Sequence, residues 1–70
     1  MKQEHIAVGK LYENDVGVRR LVLGVDQQYR PGSHFCDGVL CEQTYPGGRV
    51  EIRRVYLDSF ARWARKEVKS

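Results

Sequence analysis

Apolar and polar positions change period once along the chain. Up to Arg54 they follow the alternation of strands, and from Leu57 they follow the spacing of a helix. A first apolar run, about 6–12, opens at Ile6 and ends in the turn cluster Glu13-Asn14-Asp15. A second run, about 18–26, places Leu21, Leu23 and Val25 on one strand face and Val18, Arg20 and Val22 on the other. Tyr29-Arg30-Pro31-Gly32-Ser33-His34 reads as a loop, because proline and glycine both interrupt pairing. A third strand, about 35–45, puts Phe35, Val39, Cys41 and Tyr45 on one face. Pro46-Gly47-Gly48 predicts a hairpin turn, since glycine reaches positive φ without steric cost. Arg49-Val50-Glu51-Ile52-Arg53 then returns as a fourth strand, about 49–54.

Beyond it, apolar residues at 57, 60, 61, 64 and 68 predict a helix over about 57–68, capped by Asp58 or Ser59. On a helical wheel Leu57, Phe60, Ala61, Ala64 and Val68 share one arc. Arg62, Arg65, Lys66 and Lys69 share another, largely opposite, with Trp63 on the flank beside Phe60. Four to five short strands and one helix predict a mainly β domain over 1–70: a small SH3-like antiparallel barrel with a C-terminal helix. The alternative is an α+β open sheet with the helix across one face.

A spaced set of positions runs through this layout: Gly9, Tyr12, Gly17-Val18, Gly24-Val25-Asp26 and Leu57-Asp58-Ser59-Phe60. With these the chain resembles short prophage- and mobile-element-encoded proteins of unknown function. It departs from them in a longer Tyr29–His34 loop and a more strongly charged helix. The resemblance implies a mobile-element origin and a small β fold, and brings no catalytic residues and no ligand.

Seventy residues suffice for one domain. A chain this short buries only about 60% of its unfolded surface, so a second copy is the expected source of further burial, as a homodimer. Cys36 and Cys41 are too few for a secreted disulfide scaffold, which points to free thiols in a reducing cytoplasm. No apolar run approaches a membrane span, and Met1-Lys2-Gln3-Glu4-His5 does not read as a signal peptide.

Candidate chemistry is sparse. His34, Cys36 and Cys41 are three soft ligands, but Cys36 and Cys41 differ by an odd number of residues and would face opposite sides of a regular strand. Asp37 and Glu42 beside the thiols disfavour a thiolate. Gly32, Gly47 and Gly48 are turn glycines without a phosphate-binding fingerprint. No metal, cofactor or catalytic residue is therefore expected. The plasmid-borne type II dihydrofolate reductases, which are small SH3-like barrels, carry Val-Gln-Ile-Tyr in their shared pore. The corresponding strand here, Val50-Glu51-Ile52-Arg53, keeps only the two apolar residues, leaving an oligomeric reductase a remote alternative.

The charge distribution is more informative than its total of +3. Residues 1–48 carry five basic and six acidic side chains, whereas 49–70 carry seven basic and three acidic. Arginine outnumbers lysine eight to four, and its planar fork suits phosphate and carboxylate alike. The expected function is therefore binding: contact with a nucleic-acid backbone through Arg53, Arg54, Arg62, Trp63, Arg65, Lys66 and Lys69. The runner-up is a protein-binding module that occupies an acidic host-protein surface.

Overall fold

A computed structural model of the chain describes residues 1–26 and 38–69. A 3-10 turn, Gln3–His5, leads into β1 (Leu11–Glu13), followed by β2 (Arg19–Asp26), β3 (Gly38–Thr44) and β4 (Val50–Tyr56). Helix α1 (Leu57–Trp63) follows directly, and β5 (Lys66–Val68) ends the described chain. Neighbouring strands are antiparallel throughout, in the order β4-β3-β2-β1-β5. The sheet is open, with α1 packed across one face. This is the α+β arrangement weighed against the barrel, and no SH3-like closure appears among the described residues.

Local chemistry explains the joints. Gly9 adopts φ 85° and breaks the first apolar run, so the strand expected over 6–12 is instead Leu11–Glu13, preceded by the Gly9 N–H donating to Val22 O and Lys10 O accepting the Val22 N–H. Asn14 Oδ1 accepts the Val16 and Val18 N–H groups at 3.1 and 3.0 Å, folding the β1–β2 turn around Gly17. The β3–β4 hairpin closes with the Tyr45 N–H donating to Arg49 O at 2.8 Å, and Gly47 and Gly48 both take positive φ. In β2 the register shifts between Val22 and Gly24, which leaves Leu23 as a bulge residue.

The helix is shorter than its apolar spacing predicts. It starts from Tyr56 without a side-chain cap, so neither Asp58 nor Ser59 is the cap. Asp58 lies in the first turn, where its carboxylate accepts the Ser59 N–H at 2.8 Å. At the other end Ala64 is extended (ψ 128°), and the Arg65 N–H donates to Glu13 O at 2.9 Å. The open edge of β1 offers backbone partners there, and pairing with it draws residues 66–68 into a strand. Val68, expected on the apolar helix arc, instead lies opposite Leu11.

Helix and sheet enclose one core: Ile6, Tyr12, Val22, Val39, Cys41, Phe60, Ala61 and Ala64. Tyr12 is fully buried and satisfied, its hydroxyl donating to His5 O at 2.5 Å and accepting the Ala7 N–H at 3.0 Å. Its ring meets Phe60 edge-on at 5.6 Å. On the sheet's other face, Leu11 lies between Leu21 and Val68, all three half-buried. Beside them Glu13 bridges Arg19 and Lys66, each at 3.3 Å.

Candidate functional site

The registers set Tyr12, Arg20, Gln43 and Glu51 in one row across β1, β2, β3 and β4, on the helix-covered face. The helix overlies Tyr12 and leaves the far corner of that face uncovered. Arg20 sits at the boundary, only 8% exposed. Its Nε–H donates to Gln43 Oε1 at 2.7 Å, and its guanidinium lies 4.2 Å from the Trp63 ring centroid and 5.5 Å from that of Phe60. A carboxamide and two aromatic faces thus receive a charge that is largely withdrawn from water. Burial lowers the Arg20 pKa and the Arg53 guanidinium adds to this, yet arginine stays charged at any physiological pH.

Past Gln43, the corner is built by the β3–β4 hairpin. Tyr45 is half-buried and donates its hydroxyl to Glu51 Oε1 at 2.5 Å. The Arg49 guanidinium stacks 4.6 Å above the Tyr45 ring. Arg49 Nη2 and Arg53 Nη1 each lie 3.7 Å from a Glu51 oxygen. Two arginines (Arg49 and Arg53) therefore share one carboxylate, and with Arg20 two strands away in the same row the four groups sum to +2, with Tyr45 and Trp63 as ring surfaces. Such a corner suits an anionic group: arginine forks supply paired N–H donors, and the rings limit their motion.

Of the residues expected from sequence, only Arg53 and Trp63 belong to this corner. Arg54 lies opposite Leu40, on the other sheet face. Arg62 is exposed on α1, where it pairs with Asp58 at 3.7 Å and donates to Ser59 Oγ at 3.5 Å. Arg65 pairs with Asp15 at 3.2 Å, and Lys66 with Glu13 at 3.3 Å. Lys69 is exposed just beyond β5. The cationic quadrant needed a helix running to 68; because α1 stops at Trp63, its four members are distributed between the helix and the far sheet edge. Lys66 and Arg19 hold the Glu13 carboxyl below its ordinary range.

Arg20, Gln43, Tyr45, Arg49 and Glu51 were not assigned as a group from sequence. One signal was present: Arg20 alternates with Val18 and Val22, which places a cation among apolar residues on one strand face. Cys41 is free and buried, and burial raises its thiol pKa, which disfavours the thiolate. His34, Phe35, Cys36 and the Tyr29–His34 loop lie outside the described residues. Among the described residues no cluster of three histidine, cysteine or acidic side chains gathers as a metal site. No described helix is long and apolar enough to cross a membrane. Compared with known proteins, the chain matches no protein family, no curated protein and no solved structure.

Proposed function

We propose that this chain is a small binding protein of the mobile-element type, acting in the cytoplasm, whose arginine–aromatic corner holds a nucleic-acid backbone. The observation that carries the reading is the sharing of Glu51 by Arg49 and Arg53 beside the buried charge of Arg20. Arg62 and Arg65 each pair with a carboxylate of their own, whereas Arg49 and Arg53 share Glu51 beside Arg20, which leaves an excess of positive charge at the hairpin corner. Arginine forks there meet phosphate oxygens, and the half-buried Tyr45 and Trp63 rings offer surfaces for unpaired bases.

The test is fluorescence anisotropy with a labelled single-stranded oligonucleotide across a salt series. Binding should weaken steeply with salt, and each phosphate contact removed should lower the log–log slope by about 0.7–0.9. Arg49→Ala should lower both affinity and slope, whereas Arg62→Ala with Arg65→Ala should change neither. Absence of salt-sensitive binding at low ionic strength would reject the nucleic-acid reading. An acidic host-protein surface is the second reading, favoured by exposed Val50 and Ile52 on the opposite face of the same strand, since protein interfaces combine apolar and arginine contacts.

A further inference from the structure

We infer that the outer edge of β4 pairs antiparallel with the β4 of a second copy, about a two-fold axis passing at Ile52. β4 is the longer of the two edge strands, with seven residues against three in β5, and only β3 bonds to it among the described residues. An edge of this length presents a row of backbone donors and acceptors that templates further pairing. Ile52 is 60% exposed in mid-strand, a β-branched apolar side chain left mostly open to solvent.

Charge selects the register. A two-fold axis normal to the sheet keeps each face on its own side, so residues directly opposite one another share a face. Centring the axis on Glu51 sets Glu51 against Glu51 and Arg49 against Arg53. Centring it on Arg53 or Arg54 sets arginine against arginine. Centring it on Ile52 places each Glu51 opposite the second copy's Arg53, twice by symmetry, with the two Ile52 side chains adjacent on the other face. Opposite charges directly across a strand pair stabilise it and like charges oppose it. A Val50-centred axis also sets Arg49 against Glu51 but overlaps the two β4 strands only at their first residue, so the Ile52-centred register is the complementary one that pairs most of the strand. The two arginine corners then lie on the same sheet face, on either side of the axis. The pairing extends the proposed binding surface but stands on the edge strand alone.

Sedimentation of the purified protein without nucleic acid tests this, over about 10 µM to 1 mM, because mass action resolves a weak dimer in that range. The mass should rise towards two chains with concentration. Glu51→Arg and Arg53→Glu should each weaken association about tenfold or more, and the two together should restore it, because the pair is exchanged across the axis. Ile52→Lys, at an exposed position that the fold does not need, should also give a monomer. A wild-type mass of one chain throughout, association indifferent to the single reversals, or a folded double variant that stays monomeric would overturn the inference. Because no ligand is present, the result is independent of whether the corner binds nucleic acid.

Discussion

The guanidinium carbon of Arg20 lies 4.2 Å from the centroid of the Trp63 ring, joining the middle of the sheet to the last residue of α1. The same side chain holds Gln43 through its Nε–H. Its stacking and its hydrogen bond thus lock helix, β2 and β3 together at the border of the binding corner.

Double-mutant analysis separates the two roles. Arg20→Met leaves the buried Gln43 carboxamide without its donor, which should cost about 1–3 kcal/mol in urea unfolding. Combining Arg20→Met with Trp63→Leu should reveal a coupling energy of about 0.5–2 kcal/mol, the range for a desolvated cation–ring pair. Additive losses would show that the stack contributes nothing to stability.

Phe60 is fully buried and touches Tyr12 and Trp63 with its ring. Phe60→Ala should lose about 3–5 kcal/mol, close to the whole stability of a small domain. A denaturation midpoint near wild type would mean that α1 is not integral to the core.

Glu13 makes stability depend on pH. Lys66 above all, with Arg19, holds its folded-state pKa below the unfolded one. The unfolded chain therefore takes up a proton first as pH falls. The contribution is complete above the ordinary carboxylate range and is lost as pH drops through the folded-state value. Glu13→Gln should flatten the acid limb of a plot of unfolding free energy against pH and leave the curve above pH 6 parallel to wild type. Parallel acid limbs would remove Glu13 from the account.

Part of this architecture was legible in the sequence. Gly47-Gly48 after Pro46 marked the hairpin, and alternation in 18–26 and around Cys41 marked the central strands, because period two and positive φ are local properties. Leu57, Phe60, Ala61 and Ala64 likewise marked the helix. Its end was not legible: Val68 falls four residues after Ala64 by coincidence, and three residues of β5 are too few to display alternation. Pairing with β1 decides the matter, and such tertiary contacts override local propensity. The choice between barrel and open sheet turned on the same strand. The site was obscured for a related reason: Arg65–Asp15 and Lys66–Glu13 join residues about fifty positions apart, so the sequence shows the cations without the carboxylates that engage them.

The unequal edges of the sheet bear on how far the protein polymerises. β5 spans only Lys66–Val68, carries a lysine at its start and is followed by Lys69. An edge so short and so charged is a poor template for another chain. Once two copies share their β4 strands, both ends of the joined sheet are β5 edges. On the proposed pairing, growth would therefore stop at a closed pair, the shortness of the outer strand limiting what the long one could start.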